Sequence, residues 1–282
     1  MMDSQGYLKV EIPVGQQEVG DIIVAELSEL GFDGFQGDDC VLDCYIQKGL
    51  FDESSLAEVL RTLSEQLPEP LTYRVETVPD SDWNAEYEKT AFTPIVYGDF
   101  AVVPYDGEYS GPHKPIYLHP HLAFGDGHHQ TTGMMMEAMI MIGEMFPGAS
   151  VMDLGCGTAV LAILAAKMGA ADVTAVDINE TAVRSAKENL MLNGLDFTVL
   201  CGDSSVLQPQ AYDIILANIH RNVLIEDMPV FRRSLKPGGR LLISGFFAED
   251  IPDILAAADS VGFCAQTTLN RDIWYTIVLT MS

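Results

Sequence analysis

Apolar residues along this chain keep two periods, and the points where one gives way to the other divide it into elements. Residues 7–12 alternate as a strand does. Val19, Ile22, Ile23, Leu27 and Leu30 then follow helical spacing and stop at Gly31, a natural C′ residue. Gly34 and Phe35 mark a short strand, and residues 41–47 a longer one. Leu56, Val59, Leu60, Leu63 and Leu67 form a second helical face, with Pro68 and Pro70 beyond it, ahead of a strand over 71–78. The order β-α-β-β-α-β is the ferredoxin-like split motif. Residues 79–92, PDSDWNAEYEKTAF, read as a polar helical connector with Trp83 and Tyr87 on one side. Residues 95–104 return to strand character.

From 106 to 132 the pattern lapses into a loop that holds five of the six histidines: His113, His119, His121, His128 and His129. No H-x-x-x-H pair and no nearby cysteine accompanies them, and the adjacent His128 and His129 are poorly placed to share one ion, so no metal site is expected. Thr131 and Thr132 are placed to cap a Met-rich apolar helix over 134–146. Strands and helices then alternate. Strands are predicted from Ser150 and over 173–176, 197–201, 212–217 and 240–244. Between them fall a helix from Val160, one capped by Asn179 and closed by Asn193-Gly194, and one reaching Leu235 before a turn at 236–239. A helix through Ile254, Ala258 and Val261 leads to a closing pair at 263–269 and 274–280. The pattern predicts an α/β domain built on a seven-stranded, mostly parallel sheet. The expected division is a recognition domain at 1–78, a linker at 79–92 and a catalytic domain at 93–282.

The stretch VMDLGCGTA, residues 151–159, carries the first chemistry. An apolar run ends in Asp153, Gly155 and Gly157 follow at alternating positions, and a buried helix begins at Val160: a strand, a tight turn and a helix start. Such turns lie at the carboxyl end of a strand, where open α/β sheets bind ligands. Glycine lets the backbone approach a ligand closely and adopt positive φ, while the first helical amides point at whatever lies there. The dinucleotide fingerprint G-x-G-x-x-G would need glycine where Val160 stands, which argues against a pyrophosphate. What fits is D-x-G-x-G followed, 24 residues after Asp153, by a second acid, Asp177, able to accept hydrogen bonds from both hydroxyls of a ribose. This resembles the S-adenosylmethionine site of class I methyltransferases, although a third glycine is common in that class where Ala159 stands.

Composition narrows the partners. Fifteen Lys+Arg against 41 Asp+Glu leave a net charge of −26. So acidic a surface repels phosphate backbones and steers basic proteins toward it, which makes DNA or bare RNA an unsuitable ligand. The five cysteines, Cys40, Cys44, Cys156, Cys201 and Cys264, form no CxxC pair and read as reduced thiols. No apolar run approaches the ~18 residues of a membrane span. The start, MMDSQGYLKVEI, has neither a basic nor an apolar leader segment. The expected localisation is cytoplasmic.

Taken together, the split βαββαβ segment, the Trp83 connector, AFGDGHHQTT at 123–132, DLGCGT, Asp177 and Ala217-Asn218-Ile219 are similar to the ribosomal protein L-eleven methyltransferase family (PrmA) over essentially the whole chain. The resemblance implies S-adenosylmethionine-dependent trimethylation of lysine side chains and the N-terminal amine of a basic ribosomal protein, met free or on the large subunit by a monomer whose N-terminal domain grips it. It implies cofactor contacts at Phe124, Gly125, Gly127, Thr131, Thr132, Asp153, Gly155, Gly157, Asp177, Ile178, Asp203 and Asn218. Asn218 is expected to orient the acceptor amine, with His128 and Asp126 as candidates for proton handling. Asp126 departs from the Thr usual in the family, and His121 stands where a small or polar residue is more common. Two other readings share part of the pattern: a class I methyltransferase acting on a small metabolite amine, and a non-catalytic ribosome-binding relative.

Overall fold

The computed structural model describes residues 7–15, 17–37, 40–64, 67, 70–77, 94–105, 109–119 and 129–281. The linker expected at 79–92 and the loop residues His121, Phe124, Gly125, Asp126, Gly127 and His128 lie outside them. The chain forms two compact units, Met1–Ala91 and Phe92–Ser282.

In the first unit, β1 (Tyr7–Pro13), α1 (Gln17–Glu29), β2 (Phe32–Gly37), β3 (Val41–Gln47), α2 (Glu53–Ser64) and β4 (Arg74–Thr77) follow the expected order. The sheet runs β2-β3-β1-β4, and all three pairings are antiparallel. This is the ferredoxin-like arrangement. Alternate residues of β1, Val10 and Ile12, face Ile23 and Leu27 of α1 and Leu56 and Leu60 of α2 in one core. Gly31 closes α1 with φ +87. The last strand begins at Arg74 and is shorter than the expected 71–78.

The second unit opens with a small sheet of β5 (Ile95–Tyr97), β6 (Phe100–Pro104) and β7 (Lys114–Leu118), in that order. Residues 95–104 are therefore two strands. Tyr97 pairs with Phe100 across the two-residue turn Gly98-Asp99, where Gly98 has φ +53. The third strand, β7, lies inside the stretch expected to be loop.

The helix α3 (Gln130–Met141) starts earlier than expected, with His129 as its N-cap in place of the two threonines. It ends at Met141, and residues 143–145 form a separate 3-10 turn. Its methionines 134, 135, 136 and 139 are buried.

The main sheet then assembles from β8 (Ser150–Leu154), β9 (Asp172–Asp177), β10 (Thr198–Cys201), β11 (Tyr212–Asn218), β12 (Leu235–Phe247), β13 (Phe263–Arg271) and β14 (Trp274–Met281). They are spaced by α4 (Val160–Lys167), α5 (Glu180–Leu192), α6 (Arg221–Ser234) and α7 (Ile251–Ser260). The order is β10-β9-β8-β11-β12-β14-β13, parallel except where β14 inserts antiparallel to both its neighbours. Strand β12 begins at Leu235, so the turn expected at 236–239 is an irregularity within it, with Gly238 at φ +81.

Strand alternation builds two cores. Val151, Leu216 and Leu242 face α3, α4 and α5, while their sequence neighbours Met152, Ile215 and Leu241 face α6 and α7. Burial of the central strands on both faces is what a parallel sheet requires. Because connections run left from β8 and right to β11, the strand order reverses between these two, and a crevice opens at their carboxyl ends.

Candidate active site

Three elements meet at that crevice. The first is the turn after β8. Gly155 and Gly157 hold φ of +71 and +51, and Ala159, which precedes α4, holds φ +63. Left-handed residues at alternating positions fold the backbone back on itself. The Gly155 and Cys156 amides both donate to the Val176 carbonyl, at 2.8 and 3.0 Å, which ties the turn to the end of β9. A Cβ on Gly155 would lie 2.2 Å from Ile219 Cγ2, so the segment after β11 packs directly on the turn.

The second is the carboxyl end of β9. Asp177 accepts the Gly157 amide on Oδ2 and the Asn179 amide on Oδ1, both at 2.9 Å. One donor per oxygen fixes the carboxylate and leaves a further lone pair on each for a ligand hydroxyl. Next to it Ile178 is 77% exposed, a large apolar side chain turned to solvent beside a fixed acid. Beyond the neighbouring strand, Asp203 caps a 3-10 turn through the Ser205 amide at 2.9 Å. Hydrogen bonds from the Ser205 side chain and backbone hold its carboxyl below the usual range.

Asp153 sits behind the turn, 1% exposed, with its Oδ2 accepting the Ala162 amide of the first turn of α4 at 3.1 Å. Burial pushes its carboxyl up to about 7 against the pull of that amide, and the Asp177 charge adds to the rise. Its contact anchors the helix that follows the turn.

The third element is the end of β11 with the start of α3. Asn218 Nδ2 donates to Thr131 Oγ1 at 3.2 Å. Thr132 is 1% exposed, and its hydroxyl is among the buried polar atoms without a protein partner. The Trp274 ring lies against the His129 imidazole, centroids 5.1 Å apart, with Phe247 on it at 4.4 Å.

Two asparagines support this assembly, Asn189, which pattern reading passed over, and Asn193, read only as the end of its helix. Asn189, buried in α5, donates to the Thr158 carbonyl at 3.0 Å and accepts the His119 amide at 2.8 Å. Asn193 makes both backbone bonds to Tyr117, donating at 2.7 Å and accepting at 3.0 Å. Together they clamp β7 and the glycine turn to one helix. Of the loop histidines, His113 Nδ1 is 2.8 Å from the Tyr109 hydroxyl, and His119 packs on the Tyr105 ring. Among the described residues no three His, Cys, Asp or Glu side chains cluster as metal ligands would, and no helix is long and apolar enough to cross a membrane.

A glycine turn at the switch point, a carboxylate fixed with lone pairs to spare, an exposed isoleucine beside it and an orphaned buried hydroxyl suit a ribose-bearing, amino-acid-like cofactor. The fold and site define a class I S-adenosylmethionine-dependent methyltransferase. A protein-family model described as Ribosomal protein L11 methyltransferase (PrmA) matches residues 32–282, and the chain belongs to that family. A ribosomal protein L11 methyltransferase of Porphyromonas gingivalis is 40% identical over 261 residues, 90% of this chain and 88% of its own. One of Bacteroides fragilis is 37% identical over 265 residues, 92% of each. The crystal structure of ribosomal protein L11 methylase from Lactobacillus delbrueckii subsp. bulgaricus superposes with a TM-score of 0.59 at 27% identity, covering 66% of this chain and 95% of that one.

Proposed function

We propose that this chain methylates amino groups of ribosomal protein L11, lysine side chains and the N-terminal amine, up to the trimethyl state, acting as a cytoplasmic monomer on free or ribosome-bound acceptor and not on DNA. The observation that carries this reading is the pairing of Leu154 with Ala217. It puts the glycine turn after β8 and Asn218 at the end of β11 side by side, which supports reading the turn as the cofactor's side of one crevice and Asn218 as the acceptor's.

S-adenosylmethionine supplies the methyl group as an electrophilic sulfonium. Asp177 suits its ribose hydroxyls, Ile178 and Asp203 its base, and the 155–159 turn with Thr132 its amino-acid end. The acceptor must arrive as a neutral amine with its lone pair free. Neutralising a lysine of pKa ~10.4 at pH 7 costs roughly 4–5 kcal/mol in water. An apolar, water-poor entrance reduces that cost because burial disfavours the ammonium form. The half-buried Phe247, backed by the buried Trp274, is apolar material beside α3. The Asn218 amide oxygen can then hold the amine's N–H groups and aim its lone pair, so orientation carries the catalysis. Asp126 and His128 remain the candidates for taking the proton released.

Charge supports the acceptor. Residues 1–91 hold 20 Asp+Glu against 5 Lys+Arg, net −15, while residues 92–282 carry net −11 over twice the length. The ferredoxin-like unit is thus the more acidic surface for a basic protein.

The test is mass spectrometry of purified, unmodified L11 after incubation with this protein and S-adenosylmethionine. Mass gains in steps of one methyl, mapped to lysines or the N-terminus, are expected; no gain while the cofactor binds would move the activity to another acceptor. In the same assay Asn218→Ala should lower turnover at least about tenfold, about 1.4 kcal/mol in the barrier, with cofactor affinity nearly unchanged. Asp177→Ala should do the reverse, weakening cofactor binding first.

A further inference from the structure

Three polar side chains form a chain at the N-terminal end of α3. The Thr131 amide donates to His129 Nδ1 at 3.3 Å, Thr131 Oγ1 stands 2.7 Å from the same nitrogen, and Asn218 Nδ2 reaches Thr131 Oγ1 at 3.2 Å. The backbone N–H gives this chain its direction, because it can only donate. A ring nitrogen that accepts it presents a lone pair and carries no hydrogen, so the imidazole proton is on Nε2. The Thr131 hydroxyl proton then goes to Nδ1 as well, and only lone pairs are left on Oγ1 for Asn218. Asn218 must therefore turn its NH2 toward Thr131, which leaves Oδ1 at the other end of the planar amide, pointing away from Thr131. The T-shaped contact with Trp274, at 68° between ring planes, and the Phe247 ring behind it hold the imidazole in place.

We propose that His129 and Thr131 are positioning residues that fix which end of the Asn218 amide faces the incoming amine. The proposal rests on the reading of Asn218 as the amine's holder. The distinction matters chemically. An oxygen accepts the amine's N–H groups and leaves its lone pair free to attack, whereas an NH2 in that place would donate to the lone pair and occupy it. A freely flipping asparagine would present the wrong end part of the time. The relay also assigns Thr131 a role apart from cofactor contact, since its hydroxyl is already engaged on both sides.

The experiment uses the full chain and three variants, Thr131→Val, Thr131→Ser and Asn218→Ala. Methyl transfer to L11 is followed as kcat and KM, cofactor Kd is measured by calorimetry, and a two-bond 1H–15N spectrum of the protein without cofactor reports the His129 tautomer. Expected are an Nε2–H tautomer and a Thr131→Val kcat at least tenfold down. KM and cofactor Kd should stay within threefold, and Thr131→Ser should recover at least half the lost rate. An Nδ1–H tautomer overturns the relay. So does a Thr131→Ser as slow as Thr131→Val, which would make the effect one of packing, or a Kd raised more than tenfold in Thr131→Val, which would return Thr131 to the cofactor. A slow Asn218→Ala beside an unimpaired Thr131→Val refutes the relay alone. An Asn218→Ala with unchanged kcat removes the reading beneath the proposal and the proposal with it, whatever the tautomer.

Discussion

Gly155 and Ala159 both hold left-handed φ, yet only one of them tolerates a side chain. At Ala159 the methyl is accommodated in the core, and the cost is the roughly 1–2 kcal/mol of αL strain. At Gly155 the added methyl would also meet Ile219 Cγ2 at 2.2 Å, and a β-branched side chain has few rotamers with which to swing clear. Gly155→Ala should therefore cost roughly 2–5 kcal/mol, strain plus overpacking, measured by urea denaturation, and should weaken cofactor binding in whatever remains folded. Asp153 makes a second prediction at this scale. Its folded carboxyl titrates near 7 against an ordinary 3.8, so between those values the folded state holds a proton that the unfolded chain has lost. Folding is thus helped at the acid end of that window and loses this contribution as pH rises through about 7. One coupled proton contributes at most about 1.4 kcal/mol per pH unit. Asp177 and Cys156 are the titratable groups felt there, and the thiol stays protonated because burial pushes it up, with the two acids adding to the rise. Asp153→Asn should flatten the fall in stability between pH 5.5 and 8 relative to the parent, read from melting temperatures without cofactor. An unchanged slope would show the carboxyl charged throughout.

At the scale of elements, what could be read from the sequence was what the chain settles locally. The glycine turn and Asp177 were legible because an apolar run, two glycines and an acid at a strand end leave few backbone solutions. The N-terminal βαββαβ order was legible for the same reason. Strand β7 was not, because it is five residues long, contains Pro115 and shows only Ile116 and Leu118 to the core. Proline is tolerated there because β7 is the edge of its sheet. The start of α3 was misjudged because threonine is a favoured cap and histidine is not; His129 caps by a ring nitrogen that propensity does not count. Asn189 looks like an ordinary polar position of an amphipathic helix and Asn193 like its stop signal, since their partners in and beside β7 lie 70 and 76 residues upstream. Their importance is testable. Asn189→Leu keeps the branched shape but strips the His119 amide and the Thr158 carbonyl of partners. At about 1–3 kcal/mol for each buried group left unmade, a loss of roughly 3 kcal/mol is expected in denaturant titration, with cofactor affinity falling as the turn loosens. A change under 0.5 kcal/mol would mean that water replaces both bonds.

For the whole molecule, charge is unevenly divided, and the first unit carries most of the excess over a third of the length. If a basic acceptor is drawn to that unit, its capture depends on fields that salt screens, whereas methyl transfer in the crevice does not. Raising ionic strength from about 0.05 to about 0.5 M shortens the screening length from well over 10 Å to a few ångströms. The KM for L11 should then rise at least fivefold while kcat holds within twofold. Parallel changes in both would place the charge effect in the crevice itself.

The position of β14 has a consequence for how the protein is made. It lies between β12 and β13, and β13, though synthesised earlier, has no other sheet neighbour among the described residues. A growing chain that stops short of Trp274 must therefore carry an open edge along Leu241, Leu242 and Ile243, with β13 unattached. Such edges invite pairing with other nascent chains and are what holding chaperones recognise. The same Trp274 packs on His129 beside the crevice. The sheet and the packing around His129 thus close in one late event, and translation must run through the last strand before the catalytic unit can be born complete.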